Sequence, residues 1–292
     1  MSEYRRIAVI GIGLIGSSIA LAAKHAGSTA HIVMYDASDA VRAEAASLGI
    51  GDEIAPRIED AVQDADLVVL AVPVGAMSAV MTQISAQLKD GAVITDTGST
   101  KRSVIADIAG LIPTGCYFIP SHPLAGTEFS GPAAGFPSLF KNRYWLILPE
   151  DAAQEHVDRL ADFVRSLGAI AEFMDADYHD RVLAITSHLP HLIAYTIVGT
   201  AVDLETQLKE DVIKYSASGF RDFTRIAASD PTMWRDVFIN NDEAVLEMLQ
   251  RFSEDLSYLQ RAIRWKEADK LHELFTRTRD IRRSIIDMGQ DR

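Results

Sequence analysis

Three glycines, Gly11-x-Gly13-x-x-Gly16, constrain this chain more than any other feature. They lie between an apolar β-rich run, Ile7-Ala8-Val9-Ile10, and a segment from Ser17 to Ala26 that reads as helix. Strand, glycine turn and helix in that order form a dinucleotide-binding turn. Gly11 permits the tight turn, Gly13 lets backbone approach a pyrophosphate, and Gly16 lets the helix pack closely. Leu14 and Ile15 belong to the same turn, where the helix N-terminus offers free N–H groups and positive dipole to phosphates. Asp36 ends the next strand, twenty residues after Gly16. Its carboxylate can accept hydrogen bonds from a ribose 2′-hydroxyl and would repel a 2′-phosphate, which favours NAD over NADP. The competing role for Asp36 is a helix N-cap, with Ser38 a rival for that task.

The pattern continues in kind. His31–Tyr35, Asp66–Val72, Ala92–Thr95, Tyr117–Ile119, Tyr144–Leu148 and Ala169–Met174 read as strands separated by helices. Continuous apolar strands of this sort predict a parallel sheet covered on both faces. Val72 and Pro73 end a strand at the same crevice as the glycine turn. After about residue 176 no good strand remains. Tyr178–Leu204 is apolar on most sides, which implies burial all round. Val245, Leu249, Phe252, Leu256, Leu259 and Ile263 make a near-heptad seam. The expected fold is therefore an α/β Rossmann-like domain over residues 1–175, followed by an all-α domain over 176–292. So much apolar helix is hard to bury in one small domain, so a homodimer through the helical part is expected.

Composition narrows the partners. Apolar residues make up 48% and charged residues 24%, within the ordinary globular range. The net charge of −13 should repel nucleic acid and anionic membrane surfaces. The C-terminal cluster from Arg261 to Arg283 alternates with Asp and Glu and reads as a solvated helix face. The first apolar run is broken by glycine and serine, so no leader or spanning helix is expected there and the protein is placed in the cytoplasm. Cys116 is the only cysteine, so no internal disulfide can form.

Several segments carry chemistry. Pro120-Ser121-His122-Pro123-Leu124-Ala125-Gly126-Thr127-Glu128 reads as a loop bearing an imidazole and a carboxylate. An alcohol carbon gives up hydride more easily when its O–H proton is accepted, a task suited to histidine. His122 is therefore either a base or a hydrogen-bonded loop residue. Asp96-Thr97-Gly98-Ser99-Thr100-Lys101 follows a strand at the same edge, so Ser99 either reaches cofactor or substrate, or it or Thr100 merely caps the next helix. His188 and His191 share a helix face around Pro190, which should kink that helix. No third metal ligand is evident, so no metal is expected. In Gly219-Phe220-Arg221-Asp222-Phe223-Thr224-Arg225, Asp222 can orient Arg225, whose guanidinium can take a substrate carboxylate through two hydrogen bonds. A purely structural pair is the alternative. Asp230-Pro231 reads as the cap and first residue of a helix leading to Trp234.

Taken together, these five motifs resemble the prephenate and arogenate dehydrogenase family of tyrosine biosynthesis. They are the glycine turn through Ser18, Asp96–Lys101, Ser121–Glu128, Ser187–His191 and Gly219–Arg225, in the family's order over nearly the whole chain. The resemblance implies a Rossmann domain with a helical dimerisation domain and NAD(P)-dependent oxidative decarboxylation of a cyclohexadiene acid. It implies that His122 accepts the proton of the ring 4-hydroxyl and that Ser99 assists it at the cofactor end. It implies that Arg225 grips substrate carboxylate and that His191 touches substrate. His188, Asp180 and Asp222 would support them, and Glu128, beside Thr127, would gate the mouth. Gly219 and Trp234 would approach the partner subunit's site. Prephenate and arogenate differ by a keto group against an ammonium, and Asp180 or Glu128 can read the latter, so dual specificity is expected. Two other readings are a 3-hydroxyacid dehydrogenase-like enzyme, which resembles its own family in a catalytic lysine where this chain has His188 and His191, and a non-catalytic NAD-binding regulator.

Overall fold

The computed structural model describes residues 4–203, 214 and 217–287. Its first half alternates as the sequence predicts, with β3 and α3 as additions that the sequence reading did not include: β1 (Arg6–Ile10), α1 (Leu14–His25), β2 (His31–Tyr35), α2 (Asp39–Leu48), β3 (Glu53–Ile54), α3 (Ile58–Val62), β4 (Leu67–Leu70), α4 (Met77–Ile84), β5 (Val93–Asp96), α5 (Arg102–Ile108) and β6 (Tyr117–Phe118). These six strands are parallel, in the order β3-β2-β1-β4-β5-β6. The order reverses between β1 and β4, so the loops after those two strands diverge and open a crevice.

Alternation explains why the strands read as unbroken apolar runs. Ile7 and Val9 of β1 pack with Ile32, Met34, Leu67 and Val69 on one face of the sheet. Ala8 and Ile10 pack with Val33, Val68 and Leu70 on the other. Each fully buried Val, Leu or Ile contributes roughly 1.5–3 kcal/mol, so neither face tolerates polar substitution.

The next elements are β7 (Ser121–Pro123), β8 (Tyr144–Ile147), α6 (Gln154–Ser166) and β9 (Ile170–Phe173). The three strands form a separate sheet, β7-β8-β9, in which β7 runs antiparallel to β8 with His122 opposite Leu146. Two expectations are corrected here. Tyr144–Ile147 and Ile170–Phe173 do not extend the parallel sheet. The segment around His122 is not all loop: Ser121, His122 and Pro123 form a buried strand. It is an edge strand, where a proline lacking an N–H is tolerated.

Helices follow: α7 (Ala176–Leu183), a π-helical turn (Ala184–His188), α8 (Leu189–Val202), α9 (Ser218–Thr224), α10 (Pro231–Asn240), α11 (Asp242–Arg264) and α12 (Ala268–Asp287). The disturbance expected at Pro190 takes the form of the π turn just before it. Proline cannot donate to the carbonyl of Thr186, and the helix widens there. Asp230 caps α10, accepting from the N–H groups of Thr232 at 2.8 Å and Met233 at 2.9 Å, with Pro231 as the first helical residue.

Burial all round for Tyr178–Leu204 does not hold, and Leu204 itself lies outside the described residues. Tyr178, Ile185 and Ile197 are exposed. Ala176–Ala201 has the length and composition to cross a membrane, yet only 28% of its apolar window is buried within the chain. Among the described residues, one face packs on the chain's own elements and much of the remaining apolar surface stays exposed. The residues divide into two compact units, Met1–Asp242 and Glu243–Arg292. The boundary expected at 175/176 falls inside the first. In the second, Leu256, Ile263, Phe275 and Ile281 are exposed.

Candidate active site

Gly11, with φ +102°, takes a conformation that favours glycine, and a Cβ there would lie 2.3 Å from the carbonyl oxygen of Ala71 after β4. A Cβ on Gly16 would lie 2.0 Å from the carbonyl oxygen of Gly11, so the helix packs directly on the turn. A Cβ on Gly13 would meet nothing within 4 Å. The turn is thus tight where the chain packs and open where a pyrophosphate would lie. Gly13 precedes α1 without a side-chain cap, so the first N–H groups, at Leu14 and Ile15, remain available to an anion. Asp36 accepts from the Ile12 N–H at 3.0 Å and the Ser38 N–H at 2.9 Å. The cap of α2 is Ser38, which accepts from the Val41 N–H. Asp36 is therefore held at the end of β2 beside the glycine turn, and Val72 and Pro73 follow β4 across the crevice. These residues fit a dinucleotide.

A cleft of about 490 Å³ lies in the first unit. Ser99, His122, Thr127, Glu128, His191, Arg225 and Trp234 all line it. The expected base and the expected guanidinium therefore share one cavity, although they are 103 positions apart in sequence. Ser99 faces the cleft and does not cap α5, whose N-cap position is Lys101 with no side-chain bond.

The base wall is buried, and its inner groups are hydrogen-bonded to one another. His122 Nδ1 lies 2.9 Å from His179 Nε2, and His179 Nδ1 lies 2.8 Å from Asp180 Oδ1. Asp180 also accepts the Lys101 N–H at 2.8 Å and the Arg102 N–H at 3.0 Å. Burial alone would raise the Asp180 carboxyl, but His179 and the two amides outweigh it and hold the group below its usual range. Burial pushes His122 well below 6.5, reinforced by His179, Lys101 and His188. Burial also lowers His179, against the pull of its Asp180 bond.

Strand β7 is fastened by a second buried group. Lys101 is wholly inaccessible; its ammonium donates to Asp96 and, at 2.7 Å, to the Ser121 carbonyl. Ser121 Oγ donates to the Asp96 carbonyl at 2.7 Å and accepts from Trp145 Nε1–H at 2.9 Å. The position of His122 thus follows from bonds to β5, to Lys101 just before α5, and to β8.

The Arg225 part of the lining is different in kind. Arg225 Nη1 donates to Glu128 Oε2 at 3.1 Å, and the two side chains are 59% and 28% exposed. The expected Asp222–Arg225 pair is not formed. The tertiary partner wins, and Asp222 and Gly219 are exposed residues of α9 outside the cleft lining. His191 Nδ1–H donates to the Ser187 carbonyl at 2.9 Å, and its ring stacks on Trp234 at 3.6 Å. His188 is buried behind this wall. Its Nδ1 accepts from Asn241 Nδ2 at 3.1 Å, and burial lowers it to about 4. Among the described residues no three His, Cys, Asp or Glu side chains are arranged to hold a metal.

Sequence reasoning passed over His179, Lys101, Asp96 and Asn241 as site residues. Lys101 and Asp96 were visible as the two ends of the Asp96–Lys101 motif. His179 stood next to Asp180 but offered no spacing signal toward His122.

Known proteins bear on this arrangement. Residues 19–172 match the family model for the nucleotide-binding domain of prephenate dehydrogenase, and residues 175–277 match its dimerization domain. A cyclohexadienyl dehydrogenase of Zymomonas mobilis is 41% identical over 286 residues, 98% of this chain and 97% of its own. A prephenate dehydrogenase of Bacillus subtilis is 31% identical over 278 residues, 94% of this chain and 75% of its own. The crystal structure of an Aquifex aeolicus prephenate dehydrogenase with hydroxyphenyl propionate and NAD+ superposes with a TM-score of 0.89 at 31% identity, covering 96% of this chain and 98% of that one.

Proposed function

This chain belongs to the prephenate dehydrogenase family, and from that premise we propose that it oxidatively decarboxylates prephenate, arogenate or both, with NAD as acceptor. The products are 4-hydroxyphenylpyruvate and tyrosine respectively. The observation that carries the reading is the shared cleft: His122 and Arg225 line the same cavity beside Ser99. NAD⁺ held on the glycine turn would supply the acceptor for the hydride of the ring C4–H bond. His122 accepts the 4-hydroxyl proton as that bond breaks, Arg225 holds a substrate carboxylate, and His191 with Trp234 walls the ring. Carbon dioxide leaves C1 and the ring becomes aromatic, which supplies the driving force. The protein's work is alignment and proton acceptance.

The acid that can meet the arogenate ammonium is Glu128. Asp180 is committed to His179 and two backbone amides, whereas Glu128 lines the cleft. That placement supports dual specificity. Residues 1–175 then serve the nucleotide and 176–292 the substrate and a homodimer, whose second copy covers exposed apolar residues such as Leu256, Ile263 and Phe275. A cytoplasmic setting without nucleic-acid or membrane partners belongs to the same reading. The test is absorbance at about 340 nm with purified protein, offering NAD or NADP against prephenate or arogenate. NAD reduction with at least one acid, and much less with NADP, is expected. No reduction with either acid would contradict the proposal.

A further inference from the structure

The base described above is the outer member of a three-residue chain, and its inner members dictate which ring nitrogen is free. Asp180 is surrounded by donors: the Lys101 N–H, the Arg102 N–H and His179 Nδ1. A carboxylate can only accept, so His179 carries its proton on Nδ1. Neutral His179 then has a lone pair on Nε2, and the 2.9 Å contact there must be a bond donated by His122 Nδ1–H.

We infer that His179 is a positioning residue, which Asp180 holds so that His122 keeps its proton on Nδ1 and its lone pair on Nε2, ready for the substrate hydroxyl. The inference rests on the reading of this protein as a dehydrogenase with His122 as base. The reverse arrangement needs a doubly protonated His179. His179 is wholly buried, with the Lys101 ammonium nearby, and both features oppose a second positive charge. Asp180 and Asp96 pull the other way, but Lys101 is bonded to Asp96 and two amides share Asp180. His188 also faces the group and is itself held neutral by burial.

The consequence is specific. An unconstrained imidazole divides its proton between two nitrogens, and only one tautomer can accept at the cleft. His179 removes that division and fixes the ring plane. It touches neither substrate nor cofactor, so it acts on turnover through His122 and leaves binding alone.

The test observes the ring nitrogens directly. The full-length protein is labelled with ¹⁵N-histidine, and His122→Asn assigns the His122 signals. The wild type is expected to show a protonated Nδ1 and an unprotonated Nε2 at a pH above the range of free histidine. In His179→Leu the two forms should mix, and kcat should fall about 10²-fold, the scale of general-base help, with KM little changed. His179→Gln, whose amide oxygen can accept the His122 Nδ1 proton, should restore the tautomer and recover kcat to within roughly 10-fold of wild type. A wild-type proton on Nε2, a His122 spectrum unchanged in His179→Leu, or no recovery in His179→Gln would each overturn the inference. Spectra that behave as expected in a protein inactive toward both acids would instead break the functional reading and leave the positioning role standing.

Discussion

The two walls of the cleft are built on opposite principles. His122 sits in a dry network in which His179, Asp180, Lys101, Asp96 and Ser121 satisfy one another. Arg225 lines the same cleft on a solvated side chain, paired with a partly exposed Glu128. Exposed ion pairs contribute about 0–1 kcal/mol, so a substrate carboxylate can displace Glu128 at little cost. Buried charges left unpaired are far more expensive. One wall is fixed so that a proton can be taken from a defined place, and the other is loose so that an anion can be exchanged. The first should govern turnover and the second affinity.

The largest effect that would break this contrast is in stability. Lys101→Met leaves the Asp96 carboxylate buried without its cation and should cost about 3–5 kcal/mol, read from urea or thermal denaturation. A loss near that of an exposed pair would mean the base wall is not the rigid one. Kinetics sharpen the comparison next. His122→Asn should lower kcat by about 10²-fold or more with KM little changed. Arg225→Ala should raise KM by roughly 10-fold or more, since a charge-assisted hydrogen bond is worth about 1.5–3 kcal/mol. Wild-type constants in both variants would mean that the site is misassigned.

The smallest effect is in pH. Burial holds His122 well below 6.5, and the neutral form is the active base. Activity should therefore stay level as pH falls through the ordinary histidine range and drop only below it. An acid limb in kcat/KM at or above about 6.5 would contradict a buried base. Stability carries the same sign. His188 in the folded protein takes its proton only at about 4, against 6.5 for a free histidine. Between those values the unfolded chain binds more protons, so stability falls as pH is lowered through that window.

What the sequence revealed, and what it hid, follows the same division between local and distant causes. The glycine turn was legible because strand, turn and helix are consecutive and each glycine answers a local need. The parallel strands were legible because burial on both faces leaves an unbroken apolar run. Strand β7 was not, because Ser-His-Pro has no β pattern and becomes a strand only beside β8. His179 was hidden for a related reason: its partner is 57 positions away. The spacing rule that paired Asp222 with Arg225 failed because Glu128, 97 positions distant, wins in three dimensions. The helical seam was visible, but burial all round was not the outcome: Tyr178, Ile185 and Ile197 stay exposed among the described residues.

The central claim is that an imidazole and a guanidinium from two parts of one cleft lining meet on one small substrate. The most direct measurement is a crystal structure of the protein with NAD+ and 4-hydroxyphenylpyruvate. The account predicts the phenolic hydroxyl about 2.6–3.2 Å from His122 Nε2 and the carboxylate on Arg225, with Glu128 displaced. A ligand ring that reaches one of these groups while the other faces a separate cleft would contradict it.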